Sequence, residues 1–164
     1  MKTKRVAFLG LSIALAMVLS FLESQIPALV AIPGIKVGLP NLVIVFLIYK
    51  MGWKDAVIVS IIRTLLVSML FGNIQMLTFS LAGAALSLAV MILLKKTNWF
   101  STITVSIVGG ICHNIGQIAA AMIWTQTAGI VTYLPVLLIS GTIEGAVIGL
   151  VAGLLVEKLK KWKF

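Results

Sequence analysis

Long apolar stretches separated by short polar breaks run through almost the whole chain, and they constrain its fold more than any other feature. Hydrophobic residues make up 61% of the 164 residues, charged residues only 10%, and the mean hydropathy is +1.19. A water-soluble domain needs far more charge to cover its core. Because a helix that crosses a bilayer needs about 20 mainly apolar residues, the pattern predicts an all-α membrane protein.

The breaks between the apolar stretches predict a bundle of six transmembrane helices in a single domain, 1–164. Turns or polar loops are indicated at 71–73, 95–98 and 125–129. The segment between the first and third helices is rich in Pro and Gly, and we expect residues 24–39 to form a loop that caps the bundle. The helices are predicted at about 6–23, 40–50, 53–71, 74–94, 101–124 and 133–157.

Positive charge is concentrated in a few short segments. The net charge is +9, which in a soluble protein would suggest nucleic-acid binding. Here eleven of the thirteen Lys and Arg residues lie in the N-terminal segment, two loops and the tail that would share one side of a membrane, whereas Lys36 would lie on the other side and Arg63 within helix three. This bias predicts a multi-pass protein of the plasma membrane with both termini cytoplasmic, and no nucleic-acid partner.

Five polar residues fall near the centres of predicted helices, where lipid would make them costly. They are Arg63, His113, Asn114, Gln117 and Glu144. Their spacing places them on helix faces that can share a common interior. One interpretation is an Arg63–Glu144 ion pair with interhelical hydrogen bonds around it. The other is a substrate-binding cavity, and an ion pair could support such a cavity.

A second set of polar residues lies near the predicted outer ends of the helices. Lys36, Asn41, Asn73 and Gln75 could form the rim of that cavity, or they could be ordinary solvated loop residues. Lysine next to a helix N-terminus favours an anion. Together with Arg63, these groups predict an anionic or carbonyl-rich small-molecule ligand with apolar walls around it.

Small residues recur along helix one, at Gly10, Ser12, Ala14 and Ala16. Small residues spaced in this way allow two membrane helices to approach closely. They could serve a partner-docking face or ordinary packing within the chain.

Motifs of catalysis are missing from the sequence. It contains no P-loop, no H-E-x-x-H and no G-x-S-x-G. Asp55 is the only aspartate, so the clustered carboxylates that hold Mg²⁺ beside a diphosphate are also missing. Cys112 is the only cysteine and suits a small packing residue. We therefore predict a non-enzymatic protein without a cofactor or a metal site.

Four stretches of the chain resemble a known family. They are Ile-Pro-Gly-Ile-Lys-Val-Gly-Leu-Pro-Asn at 32–41, Ile-Arg-Thr-Leu-Leu at 62–66, Leu-Phe-Gly-Asn at 70–73 and His-Asn-Ile-Gly-Gln at 113–117. They resemble the Gx transporter family, often labelled heptaprenyl diphosphate synthase component I. That family is similar to the substrate-binding S components of energy-coupling-factor (ECF) transporters, and the resemblance extends over about 6–156.

The resemblance implies a six-helix protein with an extracellular first loop over a substrate pocket and no ATPase in this chain. Helix one would dock on an energy-coupling transmembrane subunit, which two ATPase subunits drive. The expected function is uptake of a small vitamin-like or redox-cofactor-like molecule. The alternative is a non-catalytic membrane accessory subunit in polyprenyl diphosphate or quinone biosynthesis, since the aspartate-rich motifs of prenyl synthases are missing here.

Overall fold

The computed structural model describes residues 2–25 and 37–161, so most of the predicted capping loop, 24–39, lies outside the described residues. The described part contains six α-helices, one short 3₁₀ helix and no β-strand, which confirms the predicted all-helical fold. The helices are α1 Lys2–Gln25, α2 Asn41–Lys50, α3 Trp53–Phe71, α4 Ile74–Thr97, α5 Thr102–Thr125 and α6 Leu134–Lys158, with the 3₁₀ helix Ala128–Tyr133 before α6.

Local signals explain where several helices begin and end. Asn73 caps α4, because its side-chain oxygen accepts a hydrogen bond from the Met76 amide at 2.8 Å. Ser101 caps α5 in the same way, through the amide of Thr104 at 3.1 Å. Asn98 ends α4 in the left-handed conformation that Asn tolerates better than most residues. These caps satisfy amides and carbonyls that the helix itself leaves without partners.

Four of the six helices are long and apolar enough to cross a membrane, which indicates a membrane protein. These spans are Thr3–Gln25, Ile74–Thr97, Thr102–Thr125 and Ala128–Lys158. Helix α2 has only 10 residues, or about 15 Å at the standard rise. Helix α3 has 19 residues but carries Lys54, Asp55 and Arg63. Six complete crossings therefore stay a prediction.

Short helix α2 lies at the centre of the bundle. Residues 43–48 are all buried, and Leu47 and Ile48 have no exposed surface. A helix that is apolar on every side is stable only when it is surrounded. The buried core around it also takes Val59 from α3, Met91 from α4 and Val105 from α5. Burial on all sides thus explains how so short a helix is held.

Glycines allow α5 and α6 to pack at very close range. A Cβ atom added at Gly141 would lie 3.0 Å from the Gly110 backbone, and one added at Gly145 would lie 2.5 Å from the Cα of Ile107. Lipid-exposed helices gain nothing from water exclusion, so close van der Waals contact between small residues is what holds them together. This packing sets how deeply the polar residues of α5 and α6 sit in the bundle.

Both described ends of the chain lie at one end of the bundle. Arg5 near the start of α1 forms a salt bridge of 2.6 Å with buried Asp55 at the start of α3. Lys50 at the end of α2 donates to the carbonyl of Leu159, beyond α6, at 2.5 Å. Lys95 at the end of α4 donates to the carbonyl of Ile48 in α2. We call this the basic end, and the opposite end the far end.

Candidate ligand-binding cavity

A cavity of about 330 Å³ lies toward the far end of the bundle, which we call the polar cavity. Its walls come from α1, the turn before α2, the start of α2, and helices α3 to α6. The lining residues are Ser20, Glu23, Ser24, Gly38, Pro40, Asn41, Arg63, Thr64, Val67, Ser68, Phe71, Met76, Ser80, His113, Asn114, Gln117 and Glu144. Six of the nine residues predicted to bind substrate are among them: Asn41, Arg63, His113, Asn114, Gln117 and Glu144.

Gly38 is held between two carboxylates in the wall of the polar cavity. Its amide donates a hydrogen bond to Oε1 of Glu23, at the end of α1. Its φ of +71° is in the left-handed region, and an added Cβ would collide with the carboxylate of Glu144. Only glycine combines this backbone conformation with this close approach. The turn before α2 is therefore shaped by α1 on one side and α6 on the other.

The start of α2 uses its hydrogen-bond donors within the protein. The side-chain nitrogen of Asn41 donates to Oε1 of Glu144 at 3.1 Å. The first backbone amides of the helix, at Asn41, Leu42 and Val43, donate to carbonyls of residues 38–40 at 2.8 to 3.2 Å. These donors of the predicted anion site therefore already have partners within the protein, whereas Lys36 lies outside the described residues, and the anion site stays a prediction.

Arg63 and Thr64 supply the polar groups of the cavity wall that are not satisfied. Among the described residues, neither Nε of Arg63 nor Oγ1 of Thr64 has a hydrogen-bond partner, and both atoms are buried. Thr64 as a whole is 2% exposed. A buried donor without a partner costs about 1–3 kcal/mol, a cost that an acceptor atom of a ligand would remove.

Arg63 shares the polar cavity with two carboxylates, Glu23 and Glu144. Among the described residues no salt bridge joins Arg63 to either of them, so the expected Arg63–Glu144 ion pair is not found there. Oε1 of Glu144 accepts a hydrogen bond from Asn41. Because two carboxylates accompany one guanidinium, the described lining carries no surplus positive charge, which favours the carbonyl-rich ligand over the anionic one.

Three polar residues of α5 line the cavity and also hold helices together. The side-chain nitrogen of buried Asn114 donates to the carbonyl of Leu137 in α6 at 2.6 Å. His113 and Gln117 pack against α4 at Gly83, where an added Cβ would lie 2.9 Å from Cγ of Gln117. Interhelical contacts and cavity lining are therefore carried by the same side chains, and substrate binding in the cavity stays a prediction.

Of the remaining predicted rim residues, the two that the structure describes do not line the polar cavity. Lys36 is outside the described residues. Asn73 is not in the lining, since its side chain caps α4. Gln75 lines a neighbouring cavity. Glu23, Thr64 and Gly38 line the polar cavity but were not among the predicted site residues, although Glu23 is one of only four acidic residues and Thr64 follows Arg63.

One family model matches most of the chain. The model for heptaprenyl diphosphate synthase component I matches residues 12–155. The chain belongs to this family. The resemblance noted from the sequence is thereby confirmed. No curated protein and no solved structure matches the chain at the threshold applied.

In this family member, helix α1 turns one of its two small-residue faces inward. Ser12 and Ala16 are 5% and 0% exposed and pack within the chain itself. Gly10 and Ala14 are exposed, and an added Cβ at Gly10 would meet nothing within 4 Å. Of the four predicted docking residues, only these two are presented to the outside.

The family's name refers to diphosphate chemistry, which commonly uses a metal ion held by clustered carboxylates. The described residues contain no group of three or more His, Cys, Asp and Glu side chains that could hold a metal ion. The polar cavity of this family member can form hydrogen bonds and enclose a small molecule. Its volume falls within the range of ordinary small-ligand sites, about 300–1,000 Å³.

Proposed function

We propose that this protein is the substrate-binding membrane subunit, or S component, of an ECF-type ABC transporter that takes up a small vitamin-like or redox-cofactor-like molecule. The polar cavity carries this proposal: about 330 Å³, surrounded by helices, with unsatisfied donors on Arg63 and Thr64 in its wall. Polar groups of this kind inside a membrane bundle are retained for function more often than for packing.

The head group of the substrate is a neutral one with carbonyl acceptors. Two carboxylates, Glu23 and Glu144, line the polar cavity together with Arg63, and Asn41 is hydrogen-bonded to Glu144. A diphosphate would bring further negative charge close to both carboxylates, and like charges disfavour each other strongly where water is excluded. A carbonyl oxygen can accept hydrogen bonds from Arg63 and Thr64 without that repulsion.

The positive-inside rule places the basic end in the cytoplasm. The polar cavity, toward the far end, then faces outward, as capture of an external molecule requires. The exposed pair Gly10 and Ala14 on α1 leaves space for a close helix contact. We assign this face to the energy-coupling transmembrane subunit, whose two ATPase subunits would supply the energy.

Purification of the protein from its own cells tests the proposal. Native mass spectrometry should find a bound small molecule, together with the coupling subunit and both ATPases. Gly10→Leu with Ala14→Leu should dissociate the assembly while the ligand is retained. Ala119→Leu is the matched control, since Ala119 is exposed on α5, and it should leave the assembly intact. An assembly that survives the α1 substitutions would contradict the docking face.

The family description favours a second candidate, a membrane accessory subunit in polyprenyl diphosphate synthesis. In that case a soluble prenyl synthase would co-purify instead of ATPases. Deletion of the gene would lower prenyl synthase activity in membranes and leave uptake of the ligand unchanged. The two outcomes exclude each other in one pull-down experiment.

A further inference from the structure

A second cavity of about 410 Å³ adjoins the polar cavity, and we call it the apolar cavity. It lies between α4 and α5 and is bordered by the 3₁₀ helix and the start of α6. Most of its walls are hydrophobic, including Phe79, Ile118, Ala121, Ile130 and Leu137. A cavity with such walls attracts apolar groups rather than ordered water.

The two cavities are neighbours that share part of their walls. Met76, Ser80 and Gln117 line both. Met76 is 39% exposed, and its unbranched side chain can change rotamer at a small energetic cost. A single molecule could therefore occupy both spaces by passing beside these side chains.

We propose that the ligand of this protein is amphipathic: a neutral, carbonyl-bearing head binds in the polar cavity and an apolar tail extends into the apolar cavity. This inference rests on the proposed function and adds the class of molecule. Donors on Arg63 and Thr64 select the head, and the hydrophobic wall around Ala121 selects the tail. The head is held by hydrogen bonds in the polar cavity, and the tail is held by van der Waals contact with the walls of the apolar cavity.

Three probes separate the head from the tail. Menadione presents a flat ring with two carbonyl groups and no tail, a short-chain menaquinone adds an isoprenoid tail to that ring, and geraniol presents a tail without the ring. Binding is measured on the full-length protein in lipid nanodiscs. Affinities are expressed per mole fraction of probe in the lipid, so that the greater partitioning of the tailed probes does not count as binding.

The short-chain menaquinone should bind several-fold more tightly than menadione, since its tail makes close van der Waals contacts with the fixed walls of the apolar cavity that menadione cannot make. Ala121→Phe should fill the apolar cavity and remove this gain while leaving the affinity for menadione unchanged. Ala119→Phe, on the exposed side of the same helix, should leave both affinities unchanged. Arg63→Gln should weaken both quinones alike.

Equal affinities for the two quinones would overturn the inference. It would also be overturned if the short-chain menaquinone still bound more tightly than menadione in the Ala121→Phe variant. Equal binding of geraniol and the short-chain menaquinone would also overturn it, because the apolar cavity would then hold any lipid chain. If Ala121→Phe lowers the melting temperature strongly, Ala121→Leu replaces it and should give a smaller loss of the same sign. Failure of menadione to bind would instead contradict the carbonyl-bearing head in the proposed function.

Discussion

Asn41 at the start of α2 and Glu144 in the middle of α6 are joined by a hydrogen bond of 3.1 Å across 103 positions of sequence. The bond connects the buried short helix to the wall of the polar cavity. It uses one of the two N–H donors of the Asn41 side chain within the protein. Several of the consequences can be measured.

Removal of this bond should destabilise the bundle. Asn41→Ala should lower the free energy of unfolding by about 1–2 kcal/mol, because a carboxylate loses a donor in a site shielded from water. A double-mutant cycle with Glu144→Leu, followed by unfolding in mixed micelles, should give a coupling energy of about 0.5–2 kcal/mol. Additive effects of the two substitutions would show that the bond contributes nothing.

Gly38→Ala should damage both stability and ligand retention. The left-handed φ of +71° is strained for alanine, and the new Cβ collides with the Glu144 carboxylate. Gly52→Ala is the matched control, because φ there is +110° but nothing lies within 4 Å of an added Cβ. Both variants should melt at lower temperature. Only Gly38→Ala should lose the co-purifying ligand in native mass spectra, and equal ligand loss in the two would contradict the role of Gly38.

Arg63 should be coupled to Glu23 more strongly than to Glu144. Arg63→Gln removes the positive charge that attracts the half-buried Glu23 carboxylate, and Glu23→Gln removes the negative charge that attracts the guanidinium. The double variant should therefore be more stable than the sum of the two losses predicts, by about 0.5–3 kcal/mol. The parallel double-mutant cycle of Arg63→Gln with Glu144→Gln should give a smaller coupling energy. The reverse ranking would restore the ion pair expected from the sequence.

Gly145 should not tolerate a methyl group, whereas Gly153 on the same helix should. An added Cβ at Gly145 would lie 2.5 Å from Ile107 Cα, but at Gly153 the nearest atom is Thr102 Cβ, at an ordinary 3.7 Å. Gly145→Ala should lower the melting temperature. Gly153→Ala should leave it unchanged or raise it, because alanine has the higher helix propensity by about 1 kcal/mol. Similar melting temperatures for the two variants would mean that α5 and α6 are not in close contact.

Topology can be read by labelling single cysteines in a Cys112→Ser background. Lys161→Cys, beyond α6 at the basic end, should be protected from an impermeant thiol reagent in intact cells. Gly129→Cys, in the 3₁₀ helix at the far end, should react. The positive-inside rule requires this result. Labelling at Lys161→Cys from outside would invert the proposed orientation.

Local chemistry was enough to predict the helical character of the chain and several of its breaks. The turn at Gly72 and Asn73 is visible in the sequence because Asn73 is a preferred N-cap and glycine disfavours a helix interior. The placement of Arg63, His113 and Glu144 around an interior also follows from sequence, since lipid penalises each of them. The first inference depends only on a residue and its neighbours along the chain, and the second depends only on the surrounding lipid.

Only the tertiary structure shows which side chains contact one another. The sequence suggested Glu144 as the ion-pair partner of Arg63, but in the fold Oε1 of Glu144 accepts a hydrogen bond from Asn41, and Glu23 lines the same cavity as Arg63. The sequence also offered two small-residue faces on α1, of which Ser12 and Ala16 became internal while Gly10 and Ala14 stayed outside. The fact that the polar and apolar cavities share Met76 in their walls has no signature in the sequence. The periodicity of the sequence predicts which residues share a face of each helix. The depth and rotation at which two helices meet depend instead on close contacts such as that between Gly141 and Gly110. Such contacts form only when all the helices pack together.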